Sequence, residues 1–349
     1  MPNPEPPSYA GLKWTGRGIS VINQLSLPET VSWIELTSSD EVIDAIRRMV
    51  IRGAPAIGSA GAYAVALATK QAYSEGWSSQ RLNAAIEEIK NCRPTAVNLY
   101  ACVNRAASRT HLGFTAVLNE AHEIIREDIL ANHTMAVSGA DFLEGFLGNK
   151  PLRLLTHCNT GHMATAGGGT ALGVIRELDS RSMVETVYVN ETRPLLQGSR
   201  LTSWELMKDG IPHKIQVDGA TAGTIVGGHV DAALVGADRV AANGDFANKV
   251  GTLGIALACS FVKIPLIVVA STSTVDVNID EGGKIKIEMR DPDEVTQWPG
   301  SRITPVGAIG YNPAFDVTPA RLVTALVTEH RVLNISAGVL PRDVFKASI

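Results

Sequence analysis

The stretch LRLLTHCNTGHMATAGGGTALGVIREL, residues 152–178, combines a short apolar run, a glycine-rich turn and a pattern typical of a helix. Further apolar runs of strand length follow at residues 184–190, 213–217, 231–236 and 266–270, and helical patterns lie between them. This alternation predicts a parallel sheet with helices on both faces. Ligands of such sheets bind at the carboxyl ends of the strands, so the residues that directly follow each run are the first candidates for chemistry.

The chain before this alternation has a different pattern. Residues 11–37 contain two or three short strand-like pieces, and the segments from Ser39 to about Ala140 carry apolar residues at helical spacing. A chain of 349 residues is long enough for about two domains. We therefore predict a mostly helical N-terminal domain at residues 1–140 and a sheet-containing, catalytic domain at residues 150–349.

Composition excludes several classes of protein. The formal net charge is −4 and we find no basic run, so we predict no nucleic-acid partner. The longest apolar stretches are far shorter than the roughly 20 residues of a membrane helix, and the N-terminus does not resemble a signal peptide. Neither the histidines nor the cysteines show metal-ligand spacing, which predicts no metal and reduced thiols in the cytoplasm. The four cysteines are Cys92, Cys102, Cys158 and Cys259.

Cys158 lies directly after the first predicted strand of the alternating region, before the glycine-rich turn at residues 166–169. A cysteine at a strand end and near a helix N-terminus can supply a thiolate as base or nucleophile. The alternative is a buried, inert cysteine beside a turn. The turn also hints at a dinucleotide-binding fingerprint, but the full G-x-G-x-x-G pattern is missing and no acid ends the next strand. We therefore predict no cofactor.

Asp238 follows the predicted strand at residues 231–236. A carboxylate at the carboxyl end of a strand can act as a general acid or base in the cleft. The alternative is that it caps the next helix or pairs with Arg239. We predict that this next helix starts at about Asn248, so that its free N–H groups and Lys249 would form a phosphate site. An ordinary capped helix is the alternative there.

Three further side chains could recognise a polar ligand. Arg52 and Arg93 each precede small residues, so either could bind an anion, although each taken alone also fits a solvated arginine. Gln197 leads a predicted helix in a polar cluster at residues 190–198, which suits recognition of hydroxyl groups. A thiol, a carboxylate, cationic groups and amides together favour proton transfer on a phosphorylated sugar. A last helix is predicted near residues 319–329.

Several motifs resemble one family across residues 10–335. The chain is similar to the methylthioribose-1-phosphate isomerases of methionine salvage, which share a larger family with the alpha, beta and delta regulatory subunits of the translation-initiation guanine-nucleotide exchange factor. The motif pair HCNTG and GADRVAANGDFANK carries most of this resemblance. The other motifs are IRGAPAIG, NCRPTAVNL, ATAGGGTALGVIR, NETRPLLQGSRLTSWEL and YNPAFDVTP.

The resemblance implies a fold and a set of roles. The implied fold is a helical N-terminal domain on a Rossmann-like C-terminal domain, usually in a homodimer. Cys158 and Asp238 are implied to be the catalytic pair. The implied substrate-binding residues, with the cations at the phosphate, are Arg52, Gly53, Ala54, Arg93, Gln197, Asn248 and Lys249.

The implied reaction converts 5-methylthioribose 1-phosphate to 5-methylthioribulose 1-phosphate. In one account Asp238 exchanges a proton with the ring oxygen and Cys158 moves a proton between C2 and C1; in the other a hydride shifts inside an apolar cavity. Gly168 and residues 218–223 depart from the family pattern by being smaller, so an isomerase acting on 5-deoxyribose 1-phosphate or another ribose 1-phosphate stays open. A non-catalytic regulatory subunit is the third alternative.

Overall fold

The computed structural model describes residues 10–93, 97–298 and 301–345 of the chain. It is a mixed α/β protein with a helical N-terminal region and a sheet rich in parallel pairs, which confirms the predicted class at this level. No helix among these residues combines the length and the apolar character needed to cross a membrane.

The N-terminal region starts with a small antiparallel sheet and continues with helices. The sheet consists of β1 (Leu12–Trp14), β2 (Ile19–Ile22) and β3 (Trp33–Leu36) in that order. The helices are α1 (Ser39–Arg47), α2 (Ala54–Glu75), α3 (Ser79–Asn91), α4 (Val97–Ala107) and α5 (Phe114–Leu147). The predicted start of the first helix is confirmed, since Ser38 and Glu41 form a reciprocal capping box there.

The C-terminal region alternates strands and helices. The helices are α6 (Ala171–Ser180), α7 (Ser203–Asp209), α8 (Thr221–Val226), α9 (Thr252–Val262), α10 (Asp293–Thr296) and α11 (Pro341–Val344). The strands are β4 (Leu152–Thr156), β5 (Val184–Asn190), β6 (His213–Gln216), β7 (Ala232–Val235), β8 (Arg239–Ala241), β9 (Phe246–Lys249), β10 (Leu266–Val269), β11 (Val275–Asp276), β12 (Gln297–Trp298), β13 (Ser301–Arg302), β14 (Phe315–Thr318), β15 (Ala325–Val327) and β16 (Val332–Leu333).

Seven of these strands form the main sheet, in the order β16-β15-β10-β7-β4-β5-β6. Every neighbouring pair is parallel except β15 and β16, which are antiparallel. A second sheet, in the order β11-β8-β9-β14, contains the hairpin that connects β7 to α9. This hairpin turns at Asn243 and Gly244, and Asn-Gly is a sequence typical of hairpin turns.

The predicted helix near residues 319–329 is wrong. The structure has a single 3-10 turn at Ala320–Leu322 and then the strand β15, which pairs with β10. Every residue of β15 is buried. A short apolar run of this kind fits a buried strand as well as one side of a helix, and pairing with β10 decides between them.

Contacts divide the chain into two compact units, each with its own core. The first unit contains the residues up to Thr134 together with Thr160–Gly173. The second contains Met135–Asn159 and the residues from Val174 onward. The core of the first unit forms around α2, which is buried along most of its length because it is rich in alanine and glycine. The core of the second unit forms from β7, β10 and α9.

Candidate active site

Three loops of the second unit follow adjacent parallel strands. Thr156 at the end of β4 pairs with Val189 of β5 and with Leu234 of β7, so the three strands end at the same edge of the sheet. Cys158 follows β4 by two residues and Asp238 follows β7 by three. The sequence-predicted thiol and carboxylate therefore leave neighbouring strands in the region where parallel sheets bind ligands.

Cys158 is buried, with 8% of its surface exposed, and its backbone is in the left-handed region with φ +64°. Its N–H donates to Thr192 Oγ1 over 2.9 Å, and its carbonyl accepts from Thr202 Oγ1 over 2.6 Å. A residue with a side chain rarely adopts this conformation, and those that do cluster at functional sites. Five other non-glycine residues among those described share this conformation, and Cys158 is the one of the six that carries a thiol after a strand end.

The other cysteines have different surroundings. All four thiols are free. Burial raises the pKa of Cys102 and of Cys259 to about 12 in each case, and it also raises the pKa of Cys92. Thiols held in the neutral form are poor nucleophiles and poor bases. These three cysteines therefore fit an inert, structural role.

His157 is fully buried, and its hydrogen-bond partners determine which of its two ring nitrogens carries the proton. Gln216 Nε2 and Thr221 Oγ1 both donate to Asn190 Oδ1 over 2.8 Å, which leaves Asn190 Nδ2 to donate to His157 Nδ1 over 3.2 Å. His157 Nε2 then carries the proton and donates to the carbonyl of Val250 over 2.8 Å. Burial lowers the pKa of His157, so the neutral ring joins the loop after β4 to the turn before α9.

This buried histidine predicts a pH-dependent stability. An unfolded histidine protonates below a pKa of about 6.5, whereas His157 in the folded chain stays neutral to lower pH because burial depresses its pKa. The unfolded state then binds more protons, so the free energy of unfolding should fall by up to about 1.4 kcal/mol per pH unit below about pH 6.5. His122, whose pKa is also lowered by burial, adds to the same trend.

The measurement is urea unfolding between pH 7.5 and 5.5 for the wild-type chain and for His157→Gln, which cannot titrate. The variant should be less stable at pH 7.5 but should lose less stability on acidification. Equal slopes for the two proteins would show that His157 is not buried in the neutral form.

Asp238 is half-buried at the start of the hairpin. Its N–H donates to the carbonyl of Ala247 over 2.9 Å, which places the residue where β8 and β9 begin to pair. The element that follows it is a strand, so the alternative in which Asp238 caps a helix is wrong. Arg239 forms an ion pair with Asp276 over 2.9 Å.

The predicted helix start at Asn248 and Lys249 is also wrong. Both residues lie in β9, paired with β14, and α9 begins only at Thr252. Gly251 lies between the end of β9 and the start of α9 and has φ +107°. A Cβ on this residue would lie 3.0 Å from the ring of His157. Glycine at this position is what allows the chain to turn from the strand into the helix.

The N–H groups at the start of α9 bind the side chain of Asp316, in the place where a phosphate was expected from the sequence. Its carboxylate accepts from the N–H groups of Gly251 over 2.7 Å and of Leu253 over 3.1 Å. Burial nevertheless raises the pKa of Asp316. The predicted phosphate site therefore loses the helix amides on which it was based. Lys249 remains as a cation; its Nζ donates to the carbonyl of Ala314 over 2.8 Å and lies 4.5 Å from the ring of Phe315.

Gln197 directly precedes a π-helical turn, Gly198–Thr202, that leads into α7. The residue is 5% exposed, and its Oε1 has no hydrogen-bond partner among the described residues. A buried carbonyl oxygen without a partner costs about 1–3 kcal/mol. A ligand hydroxyl that donated to this oxygen would remove that cost, in agreement with the hydroxyl recognition predicted from the sequence.

The remaining predicted residues lie in the first unit. Gly53, the residue before α2, has φ +94°, and a Cβ on it would lie 2.5 Å from the backbone of Ala164. Ala56 N–H donates to Ala164 O over 3.1 Å. Gly53 and the first turn of α2 are therefore packed against the backbone of Ala164, within the first unit.

Arg93 follows the end of α3 and is partly buried. The rest of its motif, residues 94–96, lies outside the described part of the chain. The role of Arg93 stays a prediction from the resemblance.

Residues 50–334 match the Initiation factor 2 subunit family. The chain belongs to this family. The match covers the helices α2 to α5 and every strand of the main sheet, so both units carry the family pattern.

Named relatives within the Initiation factor 2 subunit family are similar over most of the chain. The methylthioribose-1-phosphate isomerase of Nitrosococcus oceani is 45% identical over 330 residues, which cover 92% of this chain and 93% of that protein. A probable bifunctional methylthioribose-1-phosphate isomerase/methylthioribulose-1-phosphate dehydratase of Nocardia farcinica is 46% identical over 333 residues. That match covers 95% of this chain and only 60% of the longer protein.

Solved structures of the family show the same fold. The 5-methylthioribose 1-phosphate isomerase of Pyrococcus horikoshii OT3 superposes with a TM-score of 0.87 at 35% identity, covering 99% of this chain and 98% of that chain. Subunit delta of the translation initiation factor eIF-2B from A. fulgidus superposes with a TM-score of 0.83 at 35% identity, covering 97% and 99%. The family fold is therefore shared by a protein named as an isomerase and one named as a translation initiation factor subunit.

Proposed function

We propose that this chain is an aldose–ketose isomerase that converts 5-methylthioribose 1-phosphate to 5-methylthioribulose 1-phosphate in methionine salvage. The observation that carries the proposal is the rigid placement of Cys158 after β4, with Asp238 after the adjacent strand β7. Identity of 45% to the Nitrosococcus oceani protein of that name supports the substrate. The subunit delta of eIF-2B from A. fulgidus is just as similar in sequence to this chain as the Pyrococcus horikoshii isomerase, at 35% identity. The thiol and the carboxylate are therefore the features on which the choice between enzyme and non-catalytic subunit depends.

The proposed chemistry is a proton transfer in which each hydrogen is accounted for. Asp238 donates a proton to the ring oxygen, so the bond from that oxygen to C1 breaks. Cys158, as thiolate, removes the proton from C2, and a double bond forms between C1 and C2. Cys158 then returns its proton to C1 while the C2 hydroxyl gives its proton back to Asp238. The product is the ketose 1-phosphate, and both side chains regain their starting states.

The binding residues have separate proposed roles. Lys249, Arg52 and Arg93 neutralise the phosphate, because guanidinium and ammonium groups form charge-assisted hydrogen bonds with it. Gln197 accepts a hydrogen bond from a sugar hydroxyl through its unpartnered Oε1. Gly53, Ala54 and Asn248 complete the substrate contacts, as the resemblance implies.

The finer features of the fold and setting are proposals as well. We infer a Rossmann-like catalytic domain, which the parallel order of β10, β7, β4, β5 and β6 supports. A homodimer is supported by large apolar side chains that lie open to solvent at the surface of the second unit. These are Val306 (94% exposed), Ile309 (90%) and Tyr311 (80%). We further propose a cytoplasmic location, in keeping with four free thiols, and no nucleic-acid partner, in keeping with a net charge of −4.

The experiment that tests the function is phosphorus and proton NMR of the purified protein in D2O with 5-methylthioribose 1-phosphate, with 5-deoxyribose 1-phosphate in parallel. We expect ketose signals to appear with 5-methylthioribose 1-phosphate at least as fast as with 5-deoxyribose 1-phosphate. Turnover of the deoxy sugar alone would move the proposal to a different 5-substituent, and no turnover of either would favour a regulatory subunit. Deuterium at C1 of the product would support proton transfer over a hydride shift.

Lys249→Ala should weaken substrate binding more than it slows the chemical step. Loss of one charge-assisted contact to phosphate should raise KM about 10- to 100-fold. The matched control is Lys214→Ala on the edge strand β6, which also removes a lysine next to an aromatic ring, that of Tyr188. Steady-state kinetics of both variants check this, and an unchanged KM in Lys249→Ala would contradict the assignment.

A further inference from the structure

Two threonine hydroxyls hold the backbone of Cys158, one on each side of the residue. Thr192 Oγ1 accepts from its N–H and Thr202 Oγ1 donates to its carbonyl. Thr192 is 0% exposed and Thr202 is 1% exposed. Because water cannot replace either hydroxyl at these buried positions, loss of one would leave a backbone group of Cys158 without a partner.

Thr192 is itself fixed in one orientation. Its hydroxyl hydrogen is donated to the carbonyl of Asn190 over 3.0 Å, so a lone pair is left to accept from Cys158. Its own N–H donates to Asp218 Oδ1 over 2.8 Å, and the N–H of Arg193 donates to the other oxygen of that carboxylate over 2.6 Å. The hydroxyl that binds Cys158 is therefore held from two neighbouring loops.

Thr202 is fixed through the neighbour of Cys158. Asn159 Nδ2 donates to Thr202 Oγ1 over 3.2 Å and to Glu205 Oε1 over 2.8 Å. Glu205 is fully buried and forms an ion pair with Arg176 over 2.7 Å. The hydroxyl of Thr202 thus accepts a hydrogen bond from Asn159 and donates one to the carbonyl of Cys158.

The conformation of Cys158 explains what these contacts achieve. A residue with a side chain stays in the left-handed region only where its surroundings hold it there. Rotation out of this region would swing the Cβ and the thiol in another direction. We propose that Thr192 and Thr202 are positioning residues that fix the direction of the Cys158 thiol for the isomerisation proposed above, on which this inference rests.

The test compares valine and serine at each position. Valine keeps the shape of threonine and removes the hydroxyl, whereas serine keeps the hydroxyl. We expect Thr192→Val and Thr202→Val to lower kcat about 10- to 100-fold with KM changed less than about threefold, because the thiol is misplaced while the binding residues are intact. Thr192→Ser and Thr202→Ser should stay within about threefold of the wild-type kcat.

The control is Thr328→Val, which removes an equally buried hydroxyl that bonds the turn between β15 and β16. It should lower the melting temperature to a similar degree and leave kcat unchanged. A similar loss of kcat in this control, or a serine variant as impaired as its valine counterpart, would overturn the proposal.

A second measurement does not depend on turnover. The rate at which iodoacetamide alkylates Cys158, followed by mass spectrometry, should rise about fivefold or more in the two valine variants, since a released loop exposes the buried thiol more often. The serine variants and Thr328→Val should react at the wild-type rate. If the wild-type protein isomerises neither sugar, the proposed function is wrong. The alkylation rates would in that case still support or overturn the role of Thr192 and Thr202 in holding Cys158.

Discussion

Cys158→Ser is expected to lower kcat by at least about 1,000-fold, since a positioned base contributes about 10²- to 10⁴-fold and a serine hydroxyl is a much weaker acid than a thiol. The substitution changes one atom in a buried residue whose backbone is held by Thr192 and Thr202. The fold should therefore survive, with a circular dichroism spectrum and a melting temperature close to those of the wild type.

A second buried thiol provides the control for this result. Cys259 lies in α9, and burial raises its pKa to about 12, so it serves packing only. Cys259→Ala should lose stability because a cavity is created, and should keep its kcat. Activity of Cys158→Ser within tenfold of the wild type, on a sample with an intact fold, would remove the thiol from the proposed mechanism.

Asp238→Asn is expected to lower kcat by a comparable factor of about 10²- to 10⁴-fold. The amide has nearly the same shape as the carboxylate but cannot release a proton to the ring oxygen. Because the backbone N–H of Asp238 still pairs with Ala247, the hairpin should form as before. Single-turnover kinetics with 5-methylthioribose 1-phosphate measures the loss directly at the chemical step.

The same strand supplies the control for this carboxylate. Asp231 directly precedes β7, at the opposite end from Asp238, and forms an ion pair with Arg153 over 2.8 Å. Asp231→Asn should weaken that ion pair and leave kcat within about threefold, because this end of a parallel sheet does not bind the ligand. Equal losses in the two variants would mean that general destabilisation, and not proton transfer, explains the effect.

Most strands of the main sheet were predictable because they are apolar runs of the length of a buried strand; β15, predicted as part of a helix, is the exception. The runs at residues 152–156, 184–190 and 266–270 contain β4, β5 and β10. The hairpin of β8 and β9 was not predictable in this way. The pair Asn243-Gly244 is a local signal for its turn. Its strands, however, are only three and four residues long, and their outer partners β11 and β14 come later in the chain, so no local pattern specifies the strands.

The placement of the candidate site residues after strand ends was predictable from the sequence. Cys158, Asp238 and Gln197 follow adjacent strands, as the alternation of the sequence implies. The residues that hold Cys158 were not predictable as such. Thr192 and Thr202 lie within the NETRPLLQGSRLTSWEL motif, but only the fold places their hydroxyls on the backbone of a residue more than thirty positions away.

The carboxylate of Asp316 has a consequence for the order in which the second unit assembles. It bonds the first amides of α9 from a strand 65 residues further along the chain. During synthesis those amides emerge well before Asp316 does, so the first turn of α9 depends on water for its hydrogen bonds until β14 pairs with β9. Completion of this helix therefore waits on a non-local pairing, which is the kind of contact that slows folding.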